Sequence, residues 1–267
     1  MSQTTRSESS YFARDAAAGD ERHRLTLINQ LYDAKSRESL IEAGLVPGCR
    51  AAEVGYGNGL MLRWIAEHVG VGGRVVGVDL TQDYLVVSDL PSNVELRSAN
   101  IEQKPLEVAS YDVVYTRLLL AHLPDPLPAV RHFAEALAPG GTLVACDLYF
   151  PGMHAIDPGH PRAEGFDRAL QHVIERIDQS GTLHSALGPR LASLLDEAGL
   201  SDVRSEVVAR DGRGGDVSAQ ACTEGLKRVL SVCPDLQESA QRMIEAWTDP
   251  SFRFRDGDLY VVRGTRT

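Results

Sequence analysis

The stretch RAAEVGYGNGLMLRWIAEHVGVGGRVVGVDL, residues 50–80, decides how this chain folds. A short apolar run leads into three alternating glycines, and a segment with apolar residues at helical spacing follows. A glycine pair ends that segment, and a second apolar run then finishes at Asp79. Strand, glycine turn, helix, strand and acid in this order predict a βαβ unit with a nucleotide-like ligand at its crossover.

The glycine turn offers a binding surface made of main-chain groups. Gly55, Gly57 and Gly59 permit positive φ and leave no side chain in the way of a ligand. The free N–H groups at the start of the next helix favour a carboxylate or a phosphate. Asp79 ends the second strand, where its carboxylate can accept hydrogen bonds from both hydroxyl groups of a ribose. Glu53 lies on a strand expected to be buried, so its charge needs the glycine loop or a ligand's ammonium group.

Two classes of cofactor fit a glycine-rich turn of this kind, and the spacing separates them. The dinucleotide fingerprint G-x-G-x-x-G/A, counted from Gly55, places Leu60 where close packing of helix on strand needs Gly or Ala. The chain instead has E-x-G-x-G-x-G, beginning at Glu53. This pattern resembles the first motif of the class I S-adenosylmethionine-dependent methyltransferases.

Later motifs of that family follow in the same order. Residues 110–117, SYDVVYTR, resemble its F/Y-D-x-V strand, and residues 137–143, LAPGGTL, resemble the motif before its fifth strand. The resemblance covers roughly residues 50–150. It implies an α/β fold with a Rossmann-like, doubly wound sheet of seven strands, six parallel and one antiparallel. The run LYVVR at residues 259–263 is the candidate for the antiparallel strand.

We expect a single methyltransferase domain with attached helical parts. An N-terminal helical cap covers residues 1–46, and the cofactor-binding core covers residues 47–150. Insertions at 151–190 and 211–255 are expected to build the acceptor pocket, because they follow the C-terminal ends of strands. A short helix is also predicted over residues 81–90, since a threonine suited to a helix N-cap opens that segment.

The resemblance further implies which residues bind S-adenosylmethionine and its product, S-adenosylhomocysteine. Asn100 stands where the family contacts the adenine, with Ile101 as an apolar face for the ring; a turn role is the alternative for Asn100. Tyr11 and Tyr32, the latter on a helix predicted over residues 21–44, close over the ligand or else anchor that helix. The predicted cofactor residues are Tyr11, Tyr32, Glu53, Gly55, Gly57, Asn58, Gly59, Asp79, Leu80, Asn100, Ile101, Thr116 and Arg117.

Two residues are the candidates for catalysis. His122 follows the fourth strand's C-terminal end, and histidine is the common proton acceptor near neutral pH; a packing or hydrogen-bonding role is its alternative. Tyr149 can orient or deprotonate an acceptor, or form part of the wall. His154, His160 and His184 lie in or near the first insertion, and each can face the acceptor.

The composition limits the partners and the compartment. With 27 basic and 37 acidic side chains the formal charge is −10, which argues against nucleic acid or an anionic membrane as the main partner. The four cysteines form no C-x-x-C pair and the histidines no helical i, i+4 pair, so no metal site is expected. No apolar run reaches the roughly 20 residues that span a bilayer, and the first residues lack a signal peptide's apolar core. We therefore expect a cytoplasmic protein.

These observations predict an enzyme that transfers a methyl group from S-adenosylmethionine to a small-molecule acceptor. The helical cap and insertions resemble those of bacterial methyltransferases of secondary metabolism. Oxygen and nitrogen are the favoured acceptor atoms, with carbon a third choice, and a monomer or homodimer is expected. The alternative is a cyclisation or rearrangement on the same fold without methyl transfer, which the mass of the product distinguishes. A dinucleotide oxidoreductase and a non-catalytic binding protein fit the motifs less well.

Overall fold

The computed structural model describes residues 18–267, and its strands are arranged in two sheets. In chain order the strands are β1 Arg50–Val54, β2 Arg74–Asp79, β3 Val94–Ser98, β4 Tyr111–Arg117, β5 Leu137–Tyr149, β6 His154–Ala155, β7 Ser201–Val208, β8 Asp211–Arg213, β9 Arg253–Arg255 and β10 Asp258–Thr265. The large sheet has the order β3-β2-β1-β4-β5-β10-β7. Only β10 lies antiparallel to its neighbours. The predicted sheet of six parallel strands and one antiparallel strand is confirmed.

Helices cover the sheet and build a second layer beside it. Within the described residues they are α1 Ala18–Glu42, α2 Leu60–Val69, α3 Leu127–Ala136, α4 Ala163–Ser180, α5 Leu191–Glu197, α6 Val217–Val232 and α7 Gln237–Thr248. The helix predicted over residues 21–44 is therefore present as α1, and the late insertion contains the two helices expected there. None of the helices in residues 18–267 is long and apolar enough to cross a membrane.

The segment 81–90 is irregular, and the prediction of a short helix there is wrong. Its main chain is held by the glycine turn instead, because the Val86 N–H donates to the carbonyl of Asn58 at 3.1 Å. The Leu85 side chain packs so closely that a Cβ on Gly59 would lie 2.6 Å from it. A tertiary contact has therefore replaced the local helical hydrogen bonds.

The central strands bring the site residues to one edge of the sheet. In the register of β1, Val54 is opposite Val78 of β2 and Thr116 of β4. Ala52 and Val54 are buried along with their partners, as expected for parallel strands covered on both faces. The glycine turn, Asp79 and the end of β4 consequently meet at the carboxyl ends of these strands, where open α/β sheets bind ligands.

The insertions form an apolar cluster of their own. Phe166 of α4, Trp247 of α7 and Phe254 of β9 pack there together with Phe252. The ring centroids of Phe166 and Phe252 are 4.9 Å apart. The small sheet β6-β9-β8 supports this cluster, and α6 also packs against α1. A second layer therefore faces the carboxyl ends of the central strands.

Candidate active site

The first cavity begins where the glycine turn leaves β1. Gly55, Gly57 and Gly59 have φ values of 78°, 54° and 79°, in the left-handed region that residues with a Cβ adopt only at a cost. A Cβ on Gly57 would lie 3.3 Å from the side chain of Leu25 on α1. The glycines therefore let the main chain itself form one wall of the cavity.

Asp79 places a carboxylate in this cavity at the end of β2. Its Oδ2 accepts the Gly57 N–H at 2.9 Å, and its Oδ1 accepts the Leu80 N–H at 2.7 Å. Burial raises the pKa of the carboxyl to about 6, although these amide donors oppose the rise. Each carboxylate oxygen retains further acceptor capacity. The group is thus oriented by the loop and still able to accept hydrogen bonds from two neighbouring hydroxyls.

Glu53 lines the same cavity with a carboxylate that is only 4 % exposed. Its Oε2 makes no hydrogen bond with any of residues 18–267. Burial raises the pKa of Glu53 well above its usual value, and the nearby Arg117 charge opposes that rise. The Arg117 guanidinium itself donates to Asp33 and Ser36, each at 3.0 Å. An unsatisfied buried acceptor costs roughly 1–3 kcal/mol, so a ligand with an N–H donor would relieve this cost.

Asn100 and Ile101 lie on the opposite side of the glycine turn, after β3, and both line the first cavity. The Asn100 Oδ1 accepts the Glu102 N–H at 3.0 Å, so this side chain also stabilises its own turn. Ile101 is buried and offers an apolar surface. The Asn100 side chain therefore both stabilises its own turn and forms part of the cavity wall.

Most of the predicted cofactor residues surround this one space. Those lining the first cavity are Glu53, Gly55, Gly57, Asn58, Asp79, Leu80, Asn100, Ile101 and Arg117. Gly59 comes just before α2, outside the lining. Thr116 is buried and does not line the cavity either, and its Oγ1 donates to the Val54 carbonyl at 3.0 Å. Tyr11 lies outside the described residues.

A second, larger cavity adjoins the first beneath α1. Its volume is about 170 Å³, against about 100 Å³ for the first. Apolar side chains from the insertions dominate its wall, among them Leu170, Val173, Ile177, Leu226 and Trp247. Four residues line both cavities: Arg24, Ile28, Leu118 and His122. The boundary between the two spaces therefore lies at these four side chains.

His122 is the uncharged titratable side chain at this boundary. It lies in the short 3₁₀ turn Leu120–His122 after β4. Burial lowers the pKa of its imidazole to about 3, and the charges of Arg24 and Arg228 lower it further in the same direction. The ring is therefore neutral at physiological pH and is a weak base there.

Asp147 is a cavity residue that the sequence analysis passed over. It lies near the end of β5, is 2 % exposed and lines the second cavity. Its Oδ2 accepts the Ala121 N–H and its Oδ1 the Leu148 N–H, both at 3.0 Å. Burial raises the pKa of Asp147 to about 7 against the effect of both amides. The available signal was an acid inside the otherwise apolar run LVACDLY, residues 143–149.

The other predicted catalytic residues are placed away from this boundary. Tyr149 lines neither cavity, and its ring lies 6.4 Å from that of Tyr260 in an edge-on contact. His154 is exposed, and the imidazole of His160 lies near Ser251 on the surface of the second layer. The His184 ring is within 2.9 Å of the Leu123 carbonyl.

Buried ion pairs hold α1 against the second layer. The Glu21 carboxylate of α1 pairs with Arg24 at 2.7 Å and with Arg228 of α6. Further along α1, the Tyr32 hydroxyl accepts a hydrogen bond from Arg210 at 3.1 Å. Tyr32 lines the second cavity and not the first. Within residues 18–267, no group of three or more His, Cys, Asp or Glu side chains is arranged to hold a metal ion.

Comparisons with known proteins agree with this core. Residues 52–145 match the family described as Methyltransferase domain. An uncharacterised 37.1 kDa protein of transposon Tn4556 from Streptomyces fradiae is 30 % identical over 194 residues, 70 % of this chain and 54 % of that protein. The ubiquinone biosynthesis O-methyltransferase of Xanthomonas campestris pv. campestris is 36 % identical over 109 residues, 39 % of this chain and 44 % of that protein.

Solved structures share the fold over most of the chain. The Bacillus halodurans C-125 protein BH2331 has a TM-score of 0.59 and 20 % identity, covering 86 % of this chain and 98 % of that one. At this identity the similarity concerns the fold alone. The chain spans about half the length of the curated relatives named above.

Proposed function

We propose that the core of this chain, which matches the Methyltransferase domain family over residues 52–145, is a class I S-adenosylmethionine-dependent methyltransferase that transfers a methyl group to a small molecule in the second cavity. The observation that carries this proposal is the polar pattern of the first cavity. There the buried Glu53 oxygen without a partner, the positive-φ glycines and the Asp79 carboxylate surround one space.

These residues fit the polar groups of the cofactor. Asp79 has acceptor capacity for the two ribose hydroxyls, and the unsatisfied Oε2 of Glu53 suits an ammonium group. Asn100 and Ile101 offer an amide and an apolar face to an adenine. Leu60 stands where a dinucleotide loop needs Gly or Ala, which argues against a nicotinamide cofactor.

The chain's own contribution to methyl transfer is alignment and exclusion of water. S-adenosylmethionine, when bound, supplies an electrophilic methyl group on a sulfonium. The apolar walls of the second cavity bury an acceptor next to the boundary side chains, which favours a displacement between two held reactants. His122 is neutral at this boundary and can orient an acceptor by one hydrogen bond.

We propose an acceptor that is a small molecule of the kind modified in secondary metabolism, methylated on oxygen or nitrogen. Its site is enclosed by α1, α4, α6 and α7 and is largely apolar, which suits a compact organic molecule better than a polymer. The formal charge of −10 also disfavours nucleic acid. The four cysteines are free thiols, which fits a cytoplasmic enzyme.

Calorimetric titration with S-adenosylmethionine and S-adenosylhomocysteine tests the cofactor assignment. We expect Asp79→Asn to weaken binding by roughly 10- to 100-fold, because charge-assisted hydrogen bonds to the ribose would be replaced by weaker ones. Asp196→Asn, an exposed acid on α5, is the matched control and should bind as the parent does. Unchanged affinity of Asp79→Asn, or a parent protein that binds neither compound, would overturn the proposal.

Mass spectrometry of the products then tests the reaction. A product heavier than the acceptor by one methylene unit, formed together with S-adenosylhomocysteine, is the expected result. A rearranged product of unchanged mass would instead establish the alternative in which the cofactor serves as a scaffold.

A further inference from the structure

Asp147 is a buried carboxylate that forms no ion pair with the described residues. The cavity-lining carboxylate is 2 % exposed, and its two hydrogen bonds come from the main-chain amides of Ala121, in the boundary turn, and Leu148, on its own strand. No cation among residues 18–267 makes an ion pair with it, whereas Asp256 in the same cavity pairs with Arg210 at 2.7 Å. Burying an unpaired charge is costly, so the fold retains here a group that stability alone does not favour.

We propose that Asp147 is the catalytic base of the second cavity and that the acceptor is an uncharged, mostly apolar molecule bearing a hydroxyl group. This inference rests on the proposed methyl transfer. It assigns a different residue from the His122 and Tyr149 that the sequence suggested, and it narrows the acceptor to one chemical class.

Asp147 lies close to the boundary between the two cavities, where methyl transfer would take place. Its Oδ2 is bonded to the amide of Ala121, the residue immediately before His122, and His122 lines both cavities. The two amide bonds fix the plane of the carboxylate, and each oxygen retains a lone pair. An acceptor hydroxyl in the second cavity can therefore donate to a carboxylate that is already oriented.

Base strength separates Asp147 from its neighbour. A general base is most effective when its pKa lies near the operating pH. Burial raises the pKa of Asp147 to about 7 and lowers that of His122 to about 3. The carboxylate is therefore the stronger base of the two, and the neutral imidazole is left to position the acceptor.

The charges around the cavity favour an uncharged acceptor. Arg24 and Arg228 line it but both pair with Glu21, so they contribute little free positive charge. A protonated amine has no lone pair to accept a methyl group, and the cofactor's sulfonium would lie beside it as a like charge. An anionic carboxylate would be buried beside Asp147. The rest of the wall is chiefly aliphatic and aromatic.

Trp247 adds one further element of recognition. It is 3 % exposed and lines the second cavity, and its Nε1–H has no hydrogen-bond partner among the described residues. Buried indole N–H groups usually find an acceptor. A carbonyl or ether oxygen on the acceptor would satisfy it, while the hydroxyl meets Asp147. The favoured class is therefore a neutral phenol, enol or alcohol with a second oxygen.

The proposed step balances in atoms and charge. The acceptor's oxygen forms a bond to the methyl carbon as the S–C bond breaks, and the sulfonium becomes a neutral thioether. The hydroxyl proton passes to the Asp147 carboxylate, which becomes neutral and later releases the proton to water. One positive and one negative charge disappear together inside a low-dielectric cavity, which favours the transition state.

Burial shifts the pKa values of three neighbours in the second cavity away from neutrality. Burial lowers the pKa of His122, and it raises the pKa values of Tyr32 and Cys222. The titratable and charged side chains that share the cavity with Asp147 are Arg24, Tyr32, His122, Cys222, Arg228 and Asp256.

Binding of a simple probe tests the acceptor class without turnover. We would titrate the protein with 2-naphthol, naphthalene and 2-naphthoate at pH 8, where 2-naphthol is uncharged. We expect 2-naphthol to bind at least 10-fold more tightly than naphthalene, because a hydrogen bond to a charged group is stronger than one between neutral groups. We expect 2-naphthoate to bind more weakly than 2-naphthol. Asp147→Asn should reduce the preference for 2-naphthol below 3-fold, and Asp196→Asn should preserve it. Failure of 2-naphthol to bind, or an undiminished preference in Asp147→Asn, overturns the inference.

A pH profile of methyl transfer to 2-naphthol, followed as S-adenosylhomocysteine, tests the role of the base. In the parent, kcat/KM should rise with pH through about 7. Asp147→Asn should lose that rise and at least 100-fold in kcat, a loss much larger than its effect on KM, since general bases contribute 10²–10⁴-fold. A retained rise refutes the role of Asp147. Titration with S-adenosylmethionine separates the two failures, because loss of cofactor binding in the parent would overturn the proposed function itself.

Discussion

Replacing Asp147 with Asn should change how the stability of the protein depends on pH. Burial raises the pKa of this carboxyl from about 3.8 in the unfolded chain to about 7 in the folded one. The folded state therefore holds the proton more tightly. The resulting stabilisation is fully present below pH 3.8 and is lost as pH rises through 7. At 1.36 kcal/mol for each pKa unit, the loss between pH 4 and pH 8 amounts to about 4 kcal/mol.

Asparagine removes this pH-dependent contribution but adds a fixed cost. Its single carbonyl oxygen can accept only one of the two amides, from Ala121 or Leu148, that the carboxylate satisfies now. One buried N–H then loses its partner, at a cost of roughly 1–3 kcal/mol that is the same at every pH. The quantity of interest is therefore the change in the stability difference with pH. Relative to the parent, Asp147→Asn should gain about 4 kcal/mol between pH 4 and pH 8.

Urea unfolding at pH 4, 6 and 8, followed by tryptophan fluorescence, measures this difference directly. Asp196→Asn serves as the control because its side chain is exposed on α5. The free energies of unfolding of the parent and Asp147→Asn are compared at each pH. If their difference stays constant within about 1 kcal/mol from pH 4 to pH 8, Asp147 does not bind a proton in the native state at neutral pH, and the reasoning fails.

The other predictions concern the first cavity and its support. Because burial raises the pKa of Asp79 to about 6, affinity for S-adenosylmethionine should fall as pH drops below 6, approaching 10-fold per pH unit; calorimetry at pH 5 and pH 8 with equal affinities would contradict this. Gly57→Ala should lower both cofactor affinity and the unfolding temperature, because φ is 54°, while Gly72→Ala, in open space, should leave both unchanged. Arg117→Ala removes the closer of the two cations that pair with the mostly buried Asp33, leaving Arg37 at 3.8 Å, and should destabilise the protein by more than Arg242→Ala, whose exposed pair contributes little; similar losses in urea would refute the distinction.

The parts of the fold that the sequence predicted are those governed by local pattern. The glycine turn requires positive φ, and parallel strands place their carboxyl ends at one edge, so Glu53, Asp79 and Asn100 come together without knowledge of any distant contact. His122 could be placed near the same edge for the same reason, because it follows β4 closely. The length and type of the helices in the second insertion likewise follow from apolar spacing.

The parts that the sequence did not predict depend on contacts between distant segments. The place of Tyr32 in the second cavity depends on which face of α1 meets α6, and the pair between Glu21 and Arg228 joins residues 207 apart. The importance of Asp147 depends on its burial and on the amide of Ala121, neither of which alternation along β5 reveals. The irregular segment 81–90 shows the same effect, since its bond to Asn58 overrides a plausible helix start.

The shared boundary between the two cavities has a consequence for the order of events in turnover. Arg24, Ile28, Leu118 and His122 belong to both walls, so neither ligand can be exchanged without disturbing the other's surroundings. Direct transfer across this boundary needs both reactants present at once, which is a sequential mechanism with intersecting initial-rate plots. Since α1 supplies two of the four side chains, its departure from the sheet would open both compartments in a single motion. Movement of this helix would then limit the rate of product release rather than the rate of methyl transfer.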